Sequence, residues 1–498
     1  MKIIKKAHKN AKKIFFIKLI LIVFWISLLF SSISFEDITN NQMYYEISER
    51  FKKDNFFREE NLNCDIYDPI FLMAERLKKK PITICKNKES RHICFQNSKY
   101  SHYNKNAKSK YGIICESENF ILDPFKSRQT KYIYKGPVDK SHRGAPILSK
   151  GFFDMKCEKK RNYRGYHKIY KNYFDSWNYH YERISKNFPE LAPGKTILFI
   201  SRNQDSPNLF HGASELMNTI SIMYLFNLKP ENIQIILLES MKLENDPYYD
   251  LYKNLISRGG EPIYIRNLHQ KYHISSAIHI PINWDSPLFL KLKIPRGYPD
   301  CKYPTQSYNI LNNLINKYLI IPNYNDSFIS DKDNFYYPES VIYNSKLNNI
   351  FNKTITIQWR KVWPRGRVFQ KRILGNGIEL ADKLALALPK NYLIRLINTA
   401  SLTIIEQISL MRKTDLLIGV HGAGITLAIF MPSKSILYEF LPKENNKDPI
   451  FISSLSGHKT YSIILKSKHK IINKNEVLFF NSNEFVESVL RLIKENNF

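Results

Sequence analysis

A single histidine in a run of small residues, His421-Gly422-Ala423-Gly424, concentrates more chemical possibility than any other stretch of the chain. It follows Leu416-Leu417-Ile418, an apolar run of buried-strand type, and precedes Ile425, Leu427, Ile429 and Phe430, whose spacing predicts a helix start. Glycines let a backbone approach a ligand closely, and the free N–H groups and positive dipole end of a helix suit a diphosphate. A second apolar run, Ser435–Phe440, reads as the next parallel strand, so Thr414–Pro442 spells a βαβ unit. Glu439, near the end of that strand, could accept hydrogen bonds from ribose hydroxyls, or it could be a strand-end carboxylate facing water. Strand, glycine turn and helix also recur in α/β folds for packing alone, and spacing by itself leaves both readings open.

Two further constellations could carry chemistry. Asn208-Leu209-Phe210-His211 lies between a strand candidate, Thr196–Ile200, and a helical pattern, with Glu215 four residues beyond the histidine. A histidine there could serve as a general base, or equally cap or pack the helix. The second is basic: Arg360 directly after the strand candidate Thr354–Trp359, then Arg372, then Asn376. Two arginines so placed can clamp both phosphates of a nucleoside diphosphate and stabilise charge on a departing group. With 75 Lys and Arg in the chain, a solvated basic loop is the plain alternative.

Taken whole, the segment from Glu406-Gln407 through Asp415, the block Gly419–Thr426, Pro432 and Glu439 resembles the signature of glycosyltransferase family 61. Asn208–His211 is similar to that family's NxxH motif, above all in its plant xylosyltransferase branch, and Arg360 and Arg372 match its basic element. Three positions depart from the pattern: Leu427 where the family often has Asn or His, Glu215 where it has Asp, and the extra Gly375 before Asn376. The resemblance implies a GT-B-type α/β fold, two Rossmann-like domains facing a cleft. It implies inverting transfer of xylose or GlcNAc from a UDP-sugar to a glycoprotein glycan or a protein hydroxyl. The nucleotide sugar would be held by Arg360, Arg372, Asn376, His421, Gly422, Ala423, Gly424, Thr426 and Glu439. His211 and Glu215 would be catalytic, with Asn208 on the acceptor side. No cofactor is required, because helix dipole and arginines can neutralise the diphosphate. Asp331-Lys332-Asp333 matches the DxD string of metal-dependent transferases, yet it follows no strand, and no metal is assigned. The alternative of a different class is an inactive membrane-anchored glycan-binding or scaffold protein on the same fold.

The elements that must position these residues divide the chain. Residues 1–13 are a lysine-rich cytoplasmic tail and 14–35 a largely apolar run of bilayer-spanning length, with basic residues before it and Glu36 and Asp37 after. This predicts a single-pass type II signal anchor with the catalytic region in the lumen of the Golgi or endoplasmic reticulum. Residues 36–151 read as stem and Cys-containing accessory region, 152–335 as the acceptor-side Rossmann-like domain, and 336–498 as the nucleotide-sugar domain. All six cysteines, Cys64, Cys85, Cys94, Cys115, Cys157 and Cys301, follow the anchor and predict luminal disulfides. The first four are close enough in sequence to staple one small subregion. A hydrophobic content of 43% excludes wholesale disorder. The net charge of +30 is spread along the chain rather than gathered into a stripe, so nucleic acid is not expected as a partner.

Overall fold

The computed structural model describes residues 46–47, 49–51, 53, 62–65, 67–77, 81–96, 113–128, 147–160, 173–180, 187–201, 209–238, 248–280, 301–320, 340–343, 353–359, 372–399, 402–441, 448–465, 467–472 and 475–498. Residues 1–56 and 57–498 are separate compact units. In the first, the described residues are helical. The expected anchor at 14–35 lies outside the described residues, among which no helix is long and apolar enough to cross a membrane.

The second unit contains two α/β halves. The first is a nine-stranded sheet whose parallel core is β6 (Thr196–Ile200), β7 (Ile233–Leu237), β8 (Ile263–Tyr264) and β9 (Tyr272–His279). Three antiparallel strands extend it: β1 (Ile82–Lys86), β2 (Arg91–Gln96) and β3 (Ile113–Leu122), giving the order β1-β2-β3-β9-β6-β7-β8. A short parallel pair, β4 (Phe153–Met155) and β5 (Trp177–Tyr179), is attached to β3. The sheet therefore runs across the boundary expected at 151/152, with Ile82–Lys86, Arg91–Gln96 and Ile113–Leu122 of the expected stem and accessory region among its strands. The apolar residues of β3 lie at its two ends, and in the polar stretch between them Glu116 and Glu118 are salt-bridged to Arg91 on β2. Cys94 and Cys115 are cross-strand partners joined by a disulfide. The other bridges, Cys64–Cys301 and Cys85–Cys157, are long-range, so the first four cysteines do not staple one subregion as expected.

The second half is a six-stranded sheet: β10 (Ser340–Tyr343), β11 (Lys353–Gln358), β13 (Tyr392–Ile397), β14 (Leu416–Val420), β15 (Ile436–Leu441) and β16 (Lys459–Ile464), in the order β10-β13-β11-β14-β15-β16. All pairs are parallel except β10 with β13. β14 is buried at every position, as expected of a strand covered on both faces. A small sheet, β12 (Ile373–Leu374), β18 (Asn475–Phe480) and β17 (Ser467–Ile472), lies beside it in the order β12-β18-β17.

The helices that matter for the site are α1 (Pro69–Leu77), α2 (Leu209–Leu225), α3 (Gln306–Tyr318), α4 (Gly377–Ala387), α5 (Ile404–Arg412), α6 (Asp448–Leu455) and α7 (Ser482–Glu495). α5 starts at a capping box in which the Thr403 side chain and Glu406 satisfy each other's backbone N–H groups. α1 and α3 both pack on α2. Buried Asp68 ties their starts together, accepting from Ile70 N at 2.7 Å and from Ser307 N at 2.8 Å. Burial raises its pKa, and the hydrogen bonds from Ser307, Thr305 and Ile70 oppose that rise. The expected domain boundary at 335/336 falls outside the described residues.

Candidate active site

In the second half, the parallel strands taken in chain order lie in the spatial order 2-1-3-4-5, the doubly wound arrangement whose ligand crevice opens at the carboxyl ends of the first and third strands. Those strands are β11 and β14, with Gln358 beside Gly419 in register. β11 is followed in the sheet by β13 on one side and β14 by β15 on the other, the reversal of order at which a doubly wound sheet forms its ligand crevice. His421 and Gly422 are the first residues past β14. Gly422 adopts φ 154° and ψ 179°, a region closed to residues with a Cβ.

His421 is held from behind. Its Nδ1 lies 2.5 Å from Glu439 Oε1, and Ser462 Oγ donates to the other oxygen, Glu439 Oε2, at 3.0 Å. Gly419, Glu439 and Ser462 sit in one cross-strand row on β14, β15 and β16. Glu439 is fully buried, where a carboxylate is tolerated only if hydrogen-bonded. It holds the Nδ1–H of His421 and so fixes the ring's tautomer and orientation. With both oxygens engaged, Glu439 acts behind His421, and the expected contact with ribose hydroxyls does not fit its position.

The segment after Gly422 is a 3-10 helix, Ala423–Phe430, rather than the expected α-helix. It is almost entirely buried and packs against α2, α5 and α6. Gly424 is dictated by a neighbour: a Cβ there would lie 2.2 Å from Gln358 Nε2. Gln358 in turn donates from Nε2 to Thr399 Oγ1 at 2.8 Å, so its amide orientation is fixed across the crevice floor. Thr426 is 2% exposed, and its Oγ1 has no hydrogen-bond partner among the described residues.

Arg372 stands at the start of β12 with φ 67°, a left-handed conformation uncommon outside glycine. Burial lowers the pKa of its half-buried guanidinium, and the charges of Glu476 and Glu439 oppose that fall. Arg372 is thus within electrostatic reach of the His421–Glu439 pair. Asn376 has a structural assignment: its Nδ2 donates to Phe480 O at 2.8 Å and its Oδ1 accepts from Phe480 N at 3.1 Å. The side chain clips the start of α4 to β18 and is not turned to a ligand. Arg360 lies outside the described residues.

In the first half the parallel strands run β9-β6-β7-β8, and the corresponding crevice opens between β6 and β9. α2 is the next described helix after β6 and carries His211 and Glu215, buried at 9% and 2% exposure. Its first turn is pinned by Tyr248, whose hydroxyl donates to Leu209 O at 2.6 Å and whose ring fills the space where a Cβ on Gly212 would sit. Asn208 lies outside the described residues. Because α2 packs on the 3-10 helix, the histidine-bearing helix of the first half adjoins the glycine segment of the second. Sequence reasoning passed over Gln358, Ser462 and Tyr248. Gln358 ends the first strand of its half and was open to notice on that ground; the other two are joined to the site only by tertiary contact.

Residues 294–438 match the family model described as Glycosyltransferase 61. The match covers Arg372 and the His421–Thr426 segment, stops one residue before Glu439, and leaves out the half that carries His211. No curated protein matches the chain. The matched region holds the crevice strands of the second half, and it supports membership of glycosyltransferase family 61 and a glycosyltransferase activity.

Proposed function

We propose that the protein is an inverting glycosyltransferase that moves xylose or GlcNAc from a UDP-sugar to a hydroxyl of a glycoprotein glycan or protein. In this reading it works on a GT-B arrangement, as a type II membrane protein with its catalytic region in the lumen of the Golgi or endoplasmic reticulum. Three disulfides among the described residues fit an oxidising compartment. The observation that carries the reading is the His421–Glu439–Ser462 chain at the β11/β14 crevice, with the His211 helix packed against the adjoining glycine segment.

The nucleotide sugar lies along the second-half crevice, its diphosphate facing His421, the Gly422–Gly424 backbone and Arg372, with Arg360 as the second basic clamp. Thr426 offers a hydroxyl from the buried side. His211 takes the proton of the acceptor hydroxyl as its oxygen attacks the anomeric carbon from the face opposite the leaving group. The bond from that carbon to the phosphate oxygen breaks, its electron pair leaves on UDP, and the basic groups stabilise the departing charge. No metal enters this scheme. The run Asn208–His211 favours xylose over GlcNAc as the transferred sugar.

The test is binding and turnover of UDP-xylose, UDP-GlcNAc and other nucleotide sugars by the purified protein, beside Arg360→Ala and His211→Ala. One donor should bind and turn over, with binding lost in the first variant and turnover alone lost in the second. A folded protein that binds no nucleotide sugar would sink the proposal and move the glycan-binding or scaffold reading forward.

A further inference from the structure

Helices α1 and α3 begin beside each other, and one carboxylate serves both starts. Pro69 opens α1 and has no N–H, so the first donor left over there is Ile70 N, which donates to Asp68 Oδ1 at 2.7 Å. In α3 the capping residue Thr305 makes no side-chain cap of its own, and Ser307 N donates instead to the other oxygen, Asp68 Oδ2, at 2.8 Å. Ser307 Oγ closes the pair: it donates to Asp68 Oδ1 at 2.6 Å and accepts from Ile70 N at 3.3 Å. Asp68, Ile70 and Ser307 are each fully buried. A carboxylate sealed from water is tolerated here because two helix N-termini, each the positive end of its dipole, point N–H groups at it.

The same place carries two further ties. The Cys64–Cys301 disulfide joins the segments that lead into α1 and α3 across a sequence separation of 237 residues. Toward the second half, Thr305 N donates at 2.9 Å to Leu455 O, at the end of α6. A Cβ on Gly457 would lie 2.6 Å from Pro304 N, so glycine lets the residues before α3 come close to the turn after α6. α6 packs in turn on the 3-10 helix, while α1 and α3 both pack on α2, the helix that carries His211. The donor row His421–Glu439–Ser462 lies wholly within the second half and does not pass through this joint.

We propose that Asp68 is a positioning residue for transfer: its shared cap fixes α1 and α3 relative to each other and to α6, and so sets His211 on α2 against the glycine segment of the second half. It acts through helix placement and touches no substrate. Asp68 comes from the segment expected to be a stem, so part of that segment shapes the catalytic layer. The proposal rests on the reading of His211 as the base.

The test uses the full-length chain with Asp68→Asn, Ser307→Ala, His211→Ala and the Asp68→Asn/His211→Ala double variant. UDP binding, and donor KM and kcat with UDP-xylose and UDP-GlcNAc, are measured well below each variant's melting temperature. Asparagine keeps one acceptor oxygen and turns an N–H toward the other helix start, so one of the two caps is lost. Asp68→Asn should lower kcat about 10- to 100-fold, the scale for a misplaced catalytic group, while donor KM and UDP binding stay within about twofold. In the double variant kcat should fall no further than in His211→Ala alone, because the cap acts through that histidine; a merely structural role would multiply the two losses. Ser307→Ala keeps the backbone contact but removes the hydroxyl, and should lower kcat by a smaller factor with donor KM unchanged. It decides the matter if Asp68→Asn does not fold. Wild-type kcat in whichever of these two variants folds, multiplied losses in the double variant, or a parallel loss of UDP binding would overturn the proposal while leaving the transferase reading intact. A wild-type chain that turns over no UDP-sugar overturns both together.

Discussion

In the second half, a histidine is held by a hydrogen bond of 2.5 Å to a fully buried carboxylate; in the first, a histidine is held by the packing of the helix that carries it. Both crevices open where connections part, between β11 and β14 in one half and β6 and β9 in the other. The materials differ. The second-half site is made of strand ends and a glycine turn, fixed by short polar contacts along a cross-strand row. The first-half site is the end of a buried helix, fixed by an aromatic ring. Polar substitutions should therefore be read out mainly at the donor site, and steric ones near α2 mainly in turnover.

The largest effect is expected at the polar anchor. Glu439→Gln removes the negative charge behind His421 and places an amide N–H among groups that themselves donate. UDP-sugar affinity should fall about 100-fold or more, in line with loss of a preorganised electrostatic group. Stability should drop by about 3 kcal/mol, the scale for breaking a buried charged hydrogen-bonded pair. Calorimetric titration and urea unfolding measure the two. Wild-type affinity in this variant would show that the row does not serve the donor. Next comes the glycine turn. Gly424→Ala puts a methyl 2.2 Å from Gln358 Nε2 and should cost about 1–3 kcal/mol by overpacking, with a raised donor KM. Gln358→Ala in the same chain makes room and should recover much of the stability. Failure to recover would mean that the clash is not with Gln358.

Gly212→Ala is the first-half counterpart and sharpens the contrast. Its Cβ would fall 2.2 Å from the Tyr248 ring, which is buried and tied to Leu209 O. Alanine in place of a helical glycine regains about 1 kcal/mol of propensity, so the net destabilisation should be smaller than at Gly424. What should change is kcat, through the shifted first turn, with donor KM held. A raised donor KM and normal kcat would dissolve the division of labour between the halves.

Much of this architecture was legible because its strands are apolar runs and its helices carry local stop signals. Thr196–Ile200 coincides with β6, and Leu416–Ile418 lies within β14, since an apolar run is a local property. β3 was not legible: Glu116, Ser117 and Glu118 interrupt IICESENFIL with polar residues whose partners lie on other strands. The start of α2 at Leu209 was not legible from periodicity, because a helix buried all round shows no polar face to set its period. At the site, His421, Arg372 and the glycines stood out by type and spacing. The pairing of His421 with Glu439 did not, because strands β14, β15 and β16 create that row only on folding together. Asn376 was misread for the same reason, its partner Phe480 lying far along the chain.

The smallest effect separates the halves by acid sensitivity. His92 and His279 lie in the first-half aromatic cluster, with Trp177 4.1 Å from the His92 ring and Phe199 stacked 4.8 Å from His279. Burial, helped by Lys159, pushes the pKa of His92 down from 6.5 to about 3, and burial with His92 nearby holds His279 well below the usual range. In the second half, burial lowers His458 to about 4, opposed by the Ala428 backbone. A histidine depressed on folding contributes stability that is complete above about pH 6.5 and is lost as pH falls toward the folded value, because the unfolded chain takes up the proton first. Each should cost about 1 kcal/mol for the first unit below 6.5. Buried Asp68 and Glu116 are raised instead, so they oppose this trend, losing stability as pH rises above their unfolded values. His92→Phe isolates the histidine contribution: the ring can still pack against Trp177, and unfolding free energy should fall less steeply between pH 6.5 and 5 than in the wild type. An unchanged slope would mean that His92 is already protonated in the folded protein, at odds with a cluster closed to water.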